Sequence, residues 1–226
     1  MDRLFAIVRL ASLLVAGAAV VMLLRMPEPP PEESVRQTFA AYRRAVLADD
    51  GPAAAALLSA ETVEWYGKMQ DLTLYATKDE VERLAPLEKI QVLAFRQRVP
   101  ADELRAMSPR QLVAYAVAHG WIGKPGMGRT DLGTVTASTD AAVGAVLVDG
   151  KDSGHQYNFV HEGGRWLFHQ LPMLQAGNDL ITTAAQQRGV SVDQYVQMLV
   201  ESGSAKKITA DVWQPLFPRA TPAPQP

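Results

Sequence analysis

The residues best suited to acid–base or metal chemistry are the four histidines, since only their side chains ordinarily titrate near neutrality. His155 and His161 fall on one face of an alternating run. Six residues at about 3.3 Å each put them roughly 20 Å apart, too far to share a metal. His119 precedes Gly120, as expected at a helix C-terminus, where a cation is favoured. His161 and Tyr157 are the two candidates for catalysis, and Tyr157, Phe159, His161, Trp166 and Phe168 are the candidate lining of a pocket. The plainer reading of His161 is a packed, hydrogen-bonded side chain at the end of a hairpin, because one histidine is no constellation. Glu64, Asp71 and Asp152 are expected at the solvated surface, since paired carboxylate chemistry needs two groups converging across a cleft. Gly123, Gly126 and Gly128 are not a phosphate loop: Lys124 precedes two of them and no Gly-Lys-Ser/Thr ending follows, so they read as a linker.

With no cysteine in the chain, thiol nucleophiles, disulfides and thiolate metal sites are excluded, and neither a metal nor a cofactor is expected. The formal net charge of −2 argues against nucleic-acid binding, whose affinity comes from clustered Lys and Arg on phosphates. At 226 residues, 48% of them hydrophobic and 20% charged, the chain suits one ordinary core with additions.

The elements that would position these residues follow from periodicity and punctuation. Val35, Phe39, Tyr42 and Val46 recur at helical spacing, and Asp49-Asp50-Gly51-Pro52 breaks that helix before a short Ala-rich second one. A third helix is predicted over about 61–76, with Trp65, Met69, Leu72 and Ala76 as its core stripe. Thr77-Lys78-Asp79-Glu80 and Ser108-Pro109-Arg110-Gln111 have the form of capping boxes, and 87–99 reads as helix on its propensities. Leu132 to Thr139 and Ala141 to Val148 read as strands, followed by a broad turn over 149–154. The clearest local signal is the hairpin around Gly163-Gly164, which pairs Glu162 with Arg165 and places His161 opposite Trp166, Phe159 opposite Phe168 and Tyr157 opposite Gln170. A further helix ends at Gly189, another runs from Ser191 to Gly203, and Trp213 is expected to dock a C-terminal arm on the core.

The N-terminus carries an uncharged apolar run, Leu10–Leu24, extended to Leu4 across Arg9. Roughly 20 helical residues span a bilayer core of about 30 Å, so residues 1–25 are expected to form a transmembrane anchor, contacting the membrane through residues 4–24. Ala16-Gly17-Ala18 also fits a cleavage site, which would make the segment a signal peptide, and burial as a core helix is the third reading. The basic residues before the run place the N-terminus in the cytoplasm and the domain outside a bacterial inner membrane, in the periplasm, standing off on a Pro-rich spacer over 26–33. A single α+β domain is expected over 34–214 and a disordered Pro-rich tail over 215–226.

Helices leading into a four-stranded meander, with an acidic pair at Asp49 and Asp50, an Ala-rich second helix and Trp166 just past a Gly-Gly turn, resemble the NTF2-like superfamily of α+β cone domains over about residues 33–172. The resemblance extends to its SnoaL and ketosteroid-isomerase-like branches. It implies a curved antiparallel sheet wrapped on a long helix, here with extra helices between about 77 and 120 and after 172. It also implies two functions: a non-catalytic binding or scaffold module, here of the bacterial envelope with an envelope-protein partner, or a cavity enzyme of isomerase or cyclase type. An exported, soluble small-ligand-binding protein is a third possibility. No catalytic acid of the enzymatic members maps onto a position of this sequence.

Overall fold

A computed structural model describes residues 29–219. Helix α1 (Pro31–Leu47) starts on a proline, whose missing N–H costs nothing in a first turn, and Glu32 and Glu33 stabilise that positive end. Its Val35, Phe39, Tyr42, Ala45 and Val46 are buried, the stripe that the periodicity predicts. Asp49 then adopts a left-handed conformation (φ 56°) and Asp50 caps α2 (Gly51–Ala56) by accepting the Ala53 N–H at 3.1 Å. Helix α3 (Ala60–Tyr75) is capped by Ser59, and α4 (Lys78–Glu82) by the Thr77–Glu80 box. Beyond them lie α5 (Pro86–Arg98), α6 (Ala101–Ala106) and α7 (Pro109–Ala118), the last with the expected Ser108–Gln111 box.

Residues 123–128 do not form a linker. Gly123, in the left-handed region, caps the single turn α8 (Lys124–Met127), whose Met127 is buried in the main core and whose Lys124 forms an ion pair with Asp49.

The sheet is an antiparallel meander in the order β1 (Thr130–Ala137), β2 (Ala141–Val148), β3 (Lys151–Glu162), β4 (Arg165–His169). The turn between β2 and β3 is two residues, Asp149 and Gly150, both at positive φ, rather than the broad loop expected over 149–154. Asp-Gly is the favoured pair for a tight hairpin because both central residues must take positive φ. Register shifts between Leu132 and Val135 and between Ala145 and Leu147 mark irregularities that bend the strands and increase twist. The β3–β4 register agrees with the hairpin reading from Glu162↔Arg165 to Phe159↔Phe168, but pairing stops at Asn158↔His169 and never reaches Tyr157 and Gln170. Leu58 makes a parallel bridge to Phe168, covering part of the β4 edge. Helix α1 crosses the sheet against β1 and β4.

After β4 come α9 (Leu171–Gln187), α10 (Val192–Ser204) and a 3₁₀ turn (Ala210–Trp213). They build a second core against α5, where Val196, Val200 and Val212 meet Val92 and Leu93, and Trp213 packs at its margin. Leu216 and Phe217, in the segment read as a tail, pack on a third cluster around Leu74, Phe95 and Leu104.

The fold class is α+β, but the expected N-terminal transmembrane helix is overturned: among the described residues no helix is long and apolar enough to cross a membrane. The longest, α1 and α9, have 17 residues each against the roughly 20 that a bilayer core requires. Residues 4–24, on which the membrane anchor rested, lie outside the described residues. The bacterial inner-membrane, periplasmic placement derived from that anchor is therefore not supported by any described helix.

Candidate functional site

The inner face of the sheet and α1 enclose an aromatic core. Phe39 lies 5.5 Å from Tyr157, and Phe168 packs against Tyr42, Tyr157 and Phe159 at centroid distances of 4.9 to 5.3 Å. Such contacts fill the volume in which a cone domain could hold a ligand. Tyr157, Phe159, Trp166 and Phe168 are buried components of this core, so three of the expected pocket residues (Tyr157, Phe159, Phe168) are packing groups. Burial raises the Tyr157 phenol above its ordinary range.

His161 lies elsewhere. It is exposed, its ring is 5.1 Å from Trp166, and its backbone N–H donates to Asp140 O at 2.9 Å. With Trp166, Arg165 and the α1 residues Ser34, Gln37 and Thr38 it borders an open groove at the hairpin end of the sheet. Tyr157 sits four residues away along β3, about 13 Å at strand spacing. The fold therefore does not bring the two catalytic candidates together.

Away from the strands, a cavity of about 180 Å³ lies beneath α9, lined by Tyr42, Tyr66, Gln91, Trp121, Ile122, Gly123, Met127, Gln170, Met173 and Leu174. The described residues that line it are all uncharged. Tyr42 accepts a hydrogen bond from Gln170 Nε2 at 2.7 Å, and burial pushes its phenol up to about 12. Burial raises Tyr66 further still, with the nearby Tyr42 adding to the shift. Both phenols therefore stay protonated at neutral pH and can donate hydrogen bonds.

A polar network anchors this corner. The Gln170 N–H donates to Thr62 Oγ1 at 3.0 Å, Thr62 Oγ1 lies 2.8 Å from Ser59 Oγ, and Ser59 Oγ lies 3.1 Å from His169 Nδ1. His169 Nε2 reaches Glu61 at 3.8 Å, giving a serine, a histidine and a carboxylate in sequence. The order is inverted relative to a hydrolytic triad, in which serine meets Nε2 and the carboxylate meets Nδ1. Ser59 is also 0% exposed, and its oxygen accepts the Thr62 N–H at 3.2 Å as the α3 cap. The network joins the end of β4 to the start of α3 and aims Gln170 at Tyr42. Ser59→Ala is expected to cost about 2 kcal/mol, the upper end of the range for a lost cap, measured by urea unfolding.

The other polar candidates do not converge. Glu64 pairs with Lys68 one turn on, Asp71 meets Arg219 at 3.4 Å, Asp152 accepts the Gly154 N–H, and His119 stacks on Tyr115 with Nδ1 2.8 Å from the Tyr115 carbonyl. Among the described residues no three His, Asp or Glu side chains cluster as a metal site requires.

Tyr66 and Ser59 were not singled out from the sequence, and Gln170 was read only as the strand partner of Tyr157. A Ser three residues before Thr62 is a cap signal, but the partners of Ser59 and Tyr66 lie on other elements, beyond the reach of local spacing. The fold and cavity together define a helix-rich α+β chain with an aromatic core between α1 and the sheet and an uncharged cavity among its helices. Compared with known proteins, it matches no family model, no curated protein and no solved structure.

Proposed function

We propose that this chain is a non-catalytic binding or scaffold module of the NTF2-like kind. The observation that carries the reading is the filling of the cone: aromatic side chains occupy the inner face of the sheet, and the residual cavity presents neutral phenols and amides. A cavity enzyme of isomerase or cyclase type needs a base or acid poised near the working pH. Here the two cavity tyrosines are shifted away from neutrality, and His161 opens onto a different surface. The crossing of α1 over a bent four-stranded meander, with a parallel bridge from Leu58 to the last strand, supports the NTF2-like assignment.

The reading predicts that the full-length chain at native abundance, gently extracted and sized by native mass spectrometry, runs in a complex containing another protein. It also predicts that Tyr157→Phe and His161→Ala leave that complex intact. Recovery of the free chain alone, from lysates in which other assemblies survive, would count against it.

A further inference from the structure

Strand β4 lies at one margin of the sheet, and its outer edge is only partly paired. Phe168 donates its N–H to Leu57 O at 2.8 Å and accepts the Ser59 N–H at 3.1 Å, which together make the parallel bridge of Leu58. Pairing alternates sides along a strand, so the main-chain groups of Trp166, two residues earlier, face the same edge. The N–H of His161, opposite Trp166 in register, accordingly turns away from β4 to Asp140 O at 2.9 Å. The Trp166 carbonyl accepts Thr38 Oγ1 at 3.1 Å and keeps a second lone pair, while its N–H has no partner among the described residues. Trp166 is 7% exposed, and a main-chain N–H so far from solvent is ordinarily paired.

The open groove, of about 780 Å³, runs beside this edge between α1 and β4. Ala41, Leu57 and Trp166 give it apolar surface. Prolines 29–31 also border it, but without N–H groups they cannot donate to the Trp166 carbonyl. No carboxylate is among the described lining residues. Arg165 is exposed at the groove and unpaired among the described residues, with Glu162, its partner in register, accepting the Ala60 N–H at 3.0 Å.

We propose that this groove is a strand-addition site, in which an extended segment of a partner protein lies parallel to β4 beside Trp166 and continues the line begun by Leu57 to Ser59. Main-chain hydrogen bonds to Trp166 hold the segment, and β-branched side chains fit between α1 and the indole. An acidic residue at its N-terminal end meets Arg165. Thr38 on α1 already reaches the Trp166 carbonyl, so the edge lies in a trough that admits one chain rather than the flat margin of a second sheet. The inference rests on the reading of the chain as a binding module and names the site and partner for it. Recognition through the main chain also fits a complex that tolerates His161→Ala.

The test uses the full-length chain labelled with ¹⁵N, the peptide acetyl-Asp-Val-Thr-Val-Thr-amide, and an analogue N-methylated at its interior amides, which keeps every side chain but cannot donate. In the free protein the Trp166 amide should exchange with solvent about tenfold faster than the paired Phe168 amide, or more. The peptide should slow Trp166 exchange about tenfold and leave Phe168 unchanged, while the analogue binds about tenfold more weakly. Gln37→Trp places a large ring in the groove from an exposed position on α1; it should keep the Tm and lose the peptide. Arg165→Glu should weaken the peptide about threefold. A Trp166 amide as protected as Phe168 without peptide, no binding of the peptide, equal binding of the analogue, or undiminished binding in either variant would overturn the site. A native complex that survives Gln37→Trp seats its partner elsewhere, which overturns the groove as the docking surface and leaves the scaffold reading standing. A chain that binds the peptide at Trp166 yet is recovered alone from native extracts keeps the groove and overturns the scaffold reading.

Discussion

Arg96→Met is expected to destabilise the protein by about 4 kcal/mol, the largest effect of any single substitution considered. Arg96, on α5, is 8% exposed, and its guanidinium donates to four backbone carbonyls: Thr73 at 2.8 Å, Leu72 at 3.1 Å, Ala76 at 2.6 Å and Val212 at 3.3 Å. Three of these lie at the C-terminal end of α3, where Leu72 O also accepts the Ala76 N–H at 3.0 Å and the later carbonyls have no following turn to pair with, and the fourth belongs to the C-terminal 3₁₀ turn. One planar fork thus closes a helix end and fastens the C-terminal arm. Burial lowers the guanidinium pKa to about 10, still well above neutrality, so the charge is retained. Methionine would fill much of the volume but leave buried carbonyls without donors. Arg96→Lys should recover part of the loss, because an ammonium can reach some of the carbonyls but not all. Urea unfolding gives the magnitude, and Trp213 fluorescence reports whether the arm detaches. A loss under about 1 kcal/mol in Arg96→Met would show that these hydrogen bonds contribute little.

Gly51→Ala should cost about 3 kcal/mol despite adding one methyl group. A Cβ at Gly51 would stand 1.9 Å from the Ala114 carbonyl oxygen and 2.6 Å from its carbon, both backbone atoms of α7. No rotamer change can relieve that clash, so α2 and α7 must separate, and with them the Asp50 cap and the Leu58 bridge that follow from their positions. Gly126→Ala is the control: no atom lies within 4 Å of where its Cβ would be, and the change should fall within about 0.5 kcal/mol. Equal Tm values for the two variants would refute the close approach.

These two residues also mark the boundary of what the sequence conveys. Caps, breakers and the Gly163-Gly164 hairpin were legible because their chemistry is local: the Thr77, Ser108 and Ser191 boxes all form, and the hairpin register holds over five pairs. Helix α3 was placed correctly, but only part of its buried face was. Of the expected stripe, Met69 and Ala76 are buried while Trp65 and Leu72 are half-buried, and the buried set within the helix is Thr62, Tyr66, Met69, Gln70, Thr73 and Leu74. Three of those six are polar and hydrogen-bonded internally, Gln70 to the Leu104 and Met107 carbonyls at 2.7 Å each and Thr73 to Met69 O at 2.6 Å. Polar groups satisfied in this way can occupy core positions, and a pattern that counts apolar residues then captures only part of the buried face. Tyr66 was hidden for that reason, and with it the cavity it shares with Tyr42 on a different helix.

The same limit applies to His161 and Tyr157. Strand alternation placed them on one face, and the registers agree, yet the sheet margin falls between them. One becomes exposed and the other joins the core. Sequence periodicity specifies a face but not where the layer covering it ends.

The central claim, that the cavity holds neutral phenols rather than acid–base catalysts, is tested most directly by NMR titration of tyrosine labelled with ¹³C at Cζ. The account predicts that Tyr42 and Tyr66 remain protonated as the pH passes through 10, the ordinary value for a phenol, with Tyr42 ionising only at about 12. Ionisation of either residue at pH 10 would contradict the burial on which the account rests, and ionisation well below it would mark an activated phenol fit for catalysis.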